Sequence, residues 1–248
     1  MSQKIAELEY AKRGLVGVLT PQANTTVEPE FRVLWPTSVT MLNARLTSNK
    51  KQMEGRLVDY TNQIEKTLEQ FSNAPLQAVA FGCTGASYLI GQKKETQICE
   101  RIKKNKGYNL VTAARAVTDS FNALRAKKIG LVSPYPASLT EISITYWKNA
   151  GFEVTEVASA YNDTSDFHPI YSLSAGRSIE RNAVLWSLGS GNSRLNAGDI
   201  KLQRVGEKRL RGVGVTPHAL GLGVGFDQGD TVRLARGEFQ IADGFLIN

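Results

Sequence analysis

Cys83 is the residue of this 248-residue chain whose type and position best suit it for chemistry. It follows the apolar segment 78–82, which predicts a buried strand that stops at a glycine, and it precedes the small residues Thr84 and Gly85. A helix is expected from about residue 88 to residue 101, so the thiol lies between a strand's carboxyl end and a helix's amino end. Helix amides and the helix dipole favour negative charge there, which predicts a lowered thiol pKa and a place for a substrate carboxylate. The pattern is also typical of a small buried core cysteine.

Strands and helices alternate along most of the sequence. Short apolar runs between turn residues predict strands, and apolar residues spaced three and four apart predict helices. This alternation predicts an α/β fold with mostly parallel sheets flanked by helices. The predicted strands are 15–20, 39–46, 78–81, 109–112, 128–133 and 152–157. The first predicted helix is capped by Thr25 or Thr26 and ends at Leu34. The other predicted helices are 53–71, 89–104, 113–125 and 139–149.

A short internal repeat predicts two similar lobes. Residues 17–21 (GVLTP) recur as residues 130–134 (GLVSP), each a strand that ends in a hydroxyl residue and a proline. We therefore expect a first α/β lobe over residues 1–112 and a second over 113–248, with the C-terminal helix able to return to the first lobe. A cleft between them, lined by the carboxyl ends of strands, is where open α/β sheets bind ligands.

The repeat also predicts where a partner of Cys83 would lie. Gly82 and Cys83 align with Gly189 and Ser190 of the second lobe. Ser190 then either stands where a second thiol is expected or belongs to a flexible turn.

Periodicity fades after Gly176, where helices should continue. Residues 177–248 either form an irregular part of the second lobe or contain a local reading-frame error. Residues 213–216 predict a last strand.

The composition indicates a globular protein of the reducing cytoplasm. Two cysteines do not make a disulfide framework, no run of about 20 apolar residues predicts a membrane span, and the charged N-terminus is unlike a signal peptide. The net charge of +7 suits a small anionic substrate, and the basic residues lack the aromatic platforms of a nucleic-acid-binding surface. We expect no membrane or nucleic-acid partner and, from the spacing of His168 and His218, no metal site. The sequence leaves open whether the chain is a homo-oligomer.

The segments TPQANTTVEPE (residues 20–30), GCTG (82–85) and SPY (133–135) resemble motifs of one enzyme group, the maleate isomerase and arylmalonate decarboxylase branch of the aspartate/glutamate racemase superfamily. The resemblance covers residues 14–176. It implies two pseudo-symmetric α/β lobes with the active-site cleft between them and no cofactor. It also implies, in most members, a pair of cysteines that face each other across the substrate.

Site residues follow from this resemblance motif by motif. Cys83 matches the first-lobe nucleophile, and Thr84 and Gly85 would offer backbone amides to a carboxylate. Asn24 matches an asparagine that contacts a substrate carboxylate, although its position also suits a turn or cap. Tyr135 matches a second-lobe tyrosine that contacts the substrate.

Ser190 is the departure from the family pattern, because it appears where the second catalytic cysteine is expected. A serine hydroxyl is a much weaker acid and base than a thiol near neutral pH, so two-base racemisation is not expected. We expect a cofactor-independent cis–trans isomerase of a maleate-like dicarboxylate that acts through a Cys83 thiolate adduct. The alternatives are a decarboxylase or racemase of 2-substituted carboxylic acids with Cys83 as proton donor, and a non-catalytic small-anion binding protein.

Overall fold

The computed structural model describes residues 8–123 and 125–161, Ile170, and the backbone of six short strands after residue 200. The chain divides into two compact units, Met1–Ala116 and Val117–Asn248. The predictions made for Ser190, His168 and His218 lie outside the described residues.

A parallel four-stranded sheet forms the centre of the first unit, in the order β2-β1-β3-β4. The central strand β1 has neighbours on both sides, and its residues Val18 and Leu19 are completely buried. Such continuous burial is expected because parallel sheets are covered on both faces. The strands are β1 Gly14–Pro21, β2 Val39–Leu46, β3 Ala78–Phe81 and β4 Asn109–Thr112, at the places that the sequence predicts.

Helices follow each of these strands, and the last helix leads from β4 into the second unit. They are α1 Val27–Leu34, α2 Met53–Asn62, α3 Ile64–Leu68, α4 Thr84–Lys106 and α5 Ala113–Ala123. The single helix predicted over 53–71 is wrong: α2 ends at Gln63 (φ −97°, ψ −2°), α3 follows, and Glu69–Phe71 forms a 3₁₀ turn. Its predicted apolar face is confirmed, since the five residues that define it are all buried: Leu57, Tyr60, Ile64, Leu68 and Phe71.

Helix α4 begins directly after Cys83, earlier than the sequence predicts. Its first residues are small and carry little apolar periodicity, so the pattern becomes visible only near Tyr88. Gly91 (φ +72°, ψ 160°) interrupts the helix, and Gly107 (φ +82°) ends it in the left-handed conformation that glycine adopts without strain.

The second unit contains the parallel pair β5 (Lys128–Ser133) and β6 (Glu153–Ser159), with α6 (Ala137–Asn149) between them along the chain. Trp147 of α6 is buried and packs edge-on against Phe121, with ring centroids 6.1 Å apart. Together with the first sheet, this arrangement confirms the predicted α/β class of parallel sheets flanked by helices.

Strands described beyond residue 200 pair in antiparallel fashion. The bounds are β7 Gln203–Arg204, β8 Val213–Gly214, β9 Val224–Gly225, β10 Thr231–Leu234, β11 Gly237–Ala242 and β12 Phe245–Ile247. One sheet has the order β12-β11-β10-β7, and β8 pairs with β9. The strand predicted at 213–216 therefore exists as β8 but is not the last one. Among the helices that the structure describes, none has the length and apolarity that crossing a membrane requires.

Candidate active site

Cys83 stands where the sequence predicts, at the junction of β3 and α4. It is the N-cap residue of α4, with an extended backbone (φ −150°, ψ 96°), and its N–H donates to the Phe81 carbonyl at 3.0 Å. The preceding Gly82 N–H donates to the Leu19 carbonyl of β1 at 2.9 Å, which extends the sheet beyond the end of β3. Only 6% of the Cys83 residue surface is exposed.

The prediction of a lowered thiol pKa is wrong for this structure. Burial raises the pKa of Cys83 to about 12, while the backbone amides of Ala86 and Gly85 lower it by a smaller amount. The free energy lost when a thiolate is removed from water exceeds the stabilisation that the two helix amides provide. Cys83 is therefore a neutral thiol near pH 7.

Asn24 occupies the loop between β1 and α1 and is 3% exposed. Its Oδ1 accepts hydrogen bonds from the N–H groups of Thr26 at 3.0 Å and Val27 at 2.9 Å, so Asn24 rather than Thr26 caps the start of α1. This is the turn-and-cap arrangement that the residue type favours. Among the described residues no hydrogen bond engages Asn24 Nδ2, so its two N–H donors remain for a ligand.

Close packing connects the Asn24 loop to the Cys83 turn. Leu19 of β1 lies opposite Phe81 of β3, so the loops that follow these strands emerge side by side at the carboxyl edge of the sheet. Val27 packs directly on Gly82, where a Cβ would lie 3.0 Å from Val27 Cγ2. The structure thus brings Asn24 and Cys83 to one edge of the first sheet.

The first turn of α4 supplies further polar groups. Thr84 is 2% exposed and Ser87 is 1% exposed. Ser87 lies four residues after Cys83 and hence on the same helix face. Within the described part of the chain, Ser87 Oγ has no hydrogen-bond partner, which is unusual for a buried hydroxyl.

Tyr60 is a site neighbour that the sequence does not reveal. It is 4% exposed, and burial is the largest cause of its raised pKa, followed by charge on Cys83. The Arg56 charge and a backbone hydrogen bond from Gln22, next to the Asn24 loop, act in the opposite direction. The helical periodicity identifies Tyr60 only as a core residue. Its hydroxyl group is the one feature in the sequence that could have indicated a place at the candidate site.

Arg45 is a second residue that sequence reasoning missed. It lies near the end of β2, opposite Thr20 of β1, and its guanidinium reaches the Asn24 loop. Its carboxylate partner is Glu28, which the sequence explains only as an acidic residue in a first helical turn.

Tyr135 belongs to the second unit, and Cys99 belongs to the later part of α4. Tyr135 lies in the second unit, buried at 6% exposure between β5 and α6, where its N–H donates to Ser133 Oγ at 3.3 Å. Cys99 lies on α4, as the sequence predicts; burial raises the pKa of its thiol, and Arg115 lowers it. Within the residues described, His, Cys, Asp and Glu form no group of three that suits a metal ion.

Comparison with known proteins relates the chain to a group of enzymes. Over 153 residues the chain is 24% identical to the maleate isomerase of Pseudomonas putida KT2440, which covers 57% of this chain and 61% of the relative. Over 163 residues it is 27% identical to the maleate isomerase of Geobacillus stearothermophilus, covering 60% and 64%. The chain therefore spans about three fifths of the length of these relatives.

A solved structure with the same fold is that of a maleate isomerase variant from Pseudomonas putida S16 with maleate. It has a TM-score of 0.60 and 21% sequence identity, and the match covers 70% of this chain and 72% of that one. The family model described as arylmalonate decarboxylase matches residues 16–175, which include both Asn24 and Cys83. A match over that much of the sequence means that the chain is a member of the arylmalonate decarboxylase family, whose relatives include maleate isomerases.

Proposed function

We propose that this chain is a cofactor-independent cis–trans isomerase of maleate or a closely similar dicarboxylate, with Cys83 as the nucleophile. The observation that supports the proposal is the packing of Val27 on Gly82, which brings the loop that carries Asn24 next to the turn that carries Cys83 at the N-terminus of α4. The relatives that are named maleate isomerases support this substrate.

The reaction needs one sulfur and no redox partner. Cys83 Sγ, as thiolate, forms a bond to one alkene carbon, and the π electron pair moves to the other carbon and into its carboxylate. The carbon–carbon bond is now single and rotates. The electron pair then re-forms the double bond in the trans geometry, the carbon–sulfur bond breaks, and the sulfur leaves as the thiolate that entered. Atoms, charge and protons therefore balance within the site.

Each polar group at the edge of the first sheet has a role in this scheme. The amides of Gly85 and Ala86 and the hydroxyl of Ser87 hold the carboxylate that gains charge during addition, as donors aimed at a developing anion do in other enzymes. Asn24 Nδ2 holds the second carboxylate. Tyr135 and Ser190 belong to the second unit, and their contact with the substrate is part of the proposal.

Proton NMR with maleate tests the proposal. We expect the maleate alkene signal to be replaced by that of fumarate, and we expect Cys83→Ala to abolish this conversion. Cys99→Ala is the matched control, since Cys99 is the other buried free thiol of the chain and lies outside the group. Absence of fumarate with the unaltered protein, or full activity of Cys83→Ala, would overturn the proposal.

One observation favours a second function within the same family. A thiol with a pKa of about 12 is a poor thiolate source but is fully protonated at neutral pH, which suits a proton donor. In that case a malonate with a bulky substituent loses carbon dioxide, and the resulting enediolate carbon takes its proton from Cys83 Sγ. An arylmalonate incubated in heavy water should then give a deuterated arylacetate, whereas the isomerase gives none.

The Cys83→Ala variant also distinguishes a non-catalytic anion-binding protein from the two enzymes. It would bind dicarboxylates equally well with Cys83→Ala and would turn over neither maleate nor an arylmalonate. Isothermal titration with both substrates, run beside the NMR assays, separates this outcome from the two enzymatic ones.

A further inference from the structure

The guanidinium of Arg45 binds the loop that carries Asn24 at three points. Its Nη1 donates to the Asn24 carbonyl at 2.6 Å and to the Pro21 carbonyl at 3.2 Å, and its Nη2 donates to Glu28 Oε1. These acceptors lie at the end of β1, in the loop, and in the first turn of α1. Arg45 therefore connects the edge strand β2 to both ends of the Asn24 loop.

This arrangement requires a planar group with several donors. The guanidinium offers five N–H groups in a fixed fork, so it can satisfy two carbonyls and a carboxylate at once, whereas a lysine ammonium is a flexible point charge. Glu28 is 17% exposed at its side chain, and its Oε2 is buried without a partner within the described residues. A partly desolvated carboxylate favours keeping its one cation close.

Several contacts hold the Asn24 loop, and the one from Arg45 reaches the backbone carbonyl of Asn24 itself. Asn24 Oδ1 is committed to the Thr26 and Val27 amides, which sets the side-chain orientation relative to α1. Arg45 holds the Pro21 and Asn24 carbonyls from strand β2, while Gln22 Oε1 of the same loop accepts a hydrogen bond from the Ser48 N–H at 2.6 Å. A displacement of the loop would move Asn24 Nδ2 with it.

We infer that Arg45, held by Glu28, is a positioning residue that fixes the amide of Asn24 for substrate binding. The inference rests on the proposed function in one respect, which is that Asn24 binds a substrate carboxylate. It assigns to the Arg45–Glu28 pair a role in substrate affinity that an ordinary surface ion pair lacks.

The chain contains a matched pair for comparison. Arg101 and Glu65 also form an arginine–glutamate contact, between α4 and α3, with side chains 53% and 43% exposed. No carbonyl of the Asn24 loop is involved in that pair. Arg45→Lys and Arg101→Lys therefore both replace a glutamate-paired guanidinium by an ammonium, but only Arg45→Lys does so at the Asn24 loop.

Two measurements test the inference on the full-length variants. In ¹⁵N–¹H spectra without substrate, the side-chain amide pair of Asn24, identified by its loss in Asn24→Ala, should shift or broaden in Arg45→Lys and stay unchanged in Arg101→Lys. In maleate kinetics, Arg45→Lys should lower kcat/KM by about tenfold, mainly through KM, because a small misplacement of a binding group is costly. Thermal unfolding confirms that each variant is folded.

The outcomes are separable. An unchanged Asn24 signal in a folded Arg45→Lys variant overturns the inference, and so does an equal loss of activity in Arg101→Lys. If the unaltered protein does not convert maleate, the proposed function fails, but the substrate-free Asn24 signal still decides whether Arg45 positions this side chain.

Discussion

At the scale of single residues, the proposed chemistry depends on two opposing effects on the pKa of Cys83. The N-terminus of α4 stabilises a thiolate, and burial destabilises it. The shift of the pKa from 9.0 to about 12 corresponds to about 4 kcal/mol in favour of the neutral thiol, so burial is the larger effect. A nucleophilic role for Cys83 therefore depends on the small fraction of molecules that have lost the proton.

This leads to a prediction about pH. Because the thiol is the dominant species well below pH 12, the thiolate fraction rises about tenfold for each pH unit. If Cys83 adds to maleate as thiolate, kcat/KM should rise with that slope between about pH 7 and pH 9. If the thiol instead donates a proton to an enediolate, the rate should not rise over that range. Initial rates in buffers of constant ionic strength measure this slope; a plateau for maleate below about pH 8 would contradict the raised pKa of Cys83, because a thiolate that is already fully formed gives no further rise.

Ser87 gives a second prediction at this scale. Its hydroxyl is buried without a partner in the described structure, so Ser87→Ala should leave the free energy of unfolding unchanged or raise it slightly, since an unsatisfied polar group is removed. The same change should raise KM for a dicarboxylate several-fold, as the proposed carboxylate donor is lost. Chemical denaturation and kinetics measure the two effects.

Ser143 provides the control for Ser87. It is equally buried, and its Oγ donates to the Thr140 carbonyl at 2.6 Å. Ser143→Ala should therefore destabilise the protein by about 1 kcal/mol without raising KM. A destabilised Ser87→Ala with unchanged KM would show that the hydroxyl is structural.

At the scale of elements, the site exists because two strand-to-helix loops emerge from neighbouring parallel strands. β1 and β3 are paired in register, and each is followed by a helix whose first turn faces the same edge of the sheet. Val27 at the start of α1 packs on Gly82 at the end of β3. The absence of a side chain at Gly82 is what allows the two loops to approach.

Gly82→Ala tests this close approach. The new Cβ would lie 3.0 and 3.3 Å from the two methyl groups of Val27, which is fully buried. We expect a loss of about 1–3 kcal/mol of stability from overpacking, together with lower activity because the Asn24 loop is displaced. Thermal unfolding and maleate turnover measure both effects.

Gly55→Ala is the matched control for Gly82→Ala. Gly55 lies within α2, and a Cβ there would lie 3.3 Å from Lys50 Cβ and 3.4 Å from Lys50 Cγ, a contact with an exposed loop residue rather than with a buried one. Alanine is the better helix former, so this variant should be as stable as the unaltered protein or slightly more so. Equal destabilisation of both variants would argue against a special role for Gly82.

At the scale of the whole molecule, charge favours an anionic ligand. The chain has 30 Lys and Arg against 23 Asp and Glu, a net charge of +7. Five of the lysines lie on α4 and are exposed, as expected for a solvated helix face: Lys93, Lys94, Lys103, Lys104 and Lys106. A positive field raises the local concentration of a dianion without any specific contact.

Ionic strength tests this contribution. Raising the salt concentration from about 20 mM to about 200 mM should lower kcat/KM for maleate about two- to threefold, because screening shortens the range of the field. A monoester of maleate, with one charge fewer, should show a smaller decrease. Equal salt dependence of the two compounds would exclude steering by net charge.

Local sequence patterns by themselves predicted the secondary-structure elements and the candidate site residues Asn24 and Cys83. The apolar runs that become β1, β2, β3 and β4 are read directly from residue type, because strand and helix periodicities are properties of short segments. The positions of Asn24 and Cys83 at strand ends follow from the same pattern, and the family of the chain follows from the motifs around them.

Only the tertiary structure decided how those residues behave. The pKa of Cys83 depends on what covers the thiol, and the neighbours at this edge, Tyr60 of α2 and Arg45 of β2, come from segments that are distant in sequence. Local patterns assign Tyr60 to a core face and leave Arg45 unexplained. Desolvation and long-range hydrogen bonding depend on the residues that pack around a side chain in the folded protein. They therefore cannot be predicted from the periodicity of a single segment.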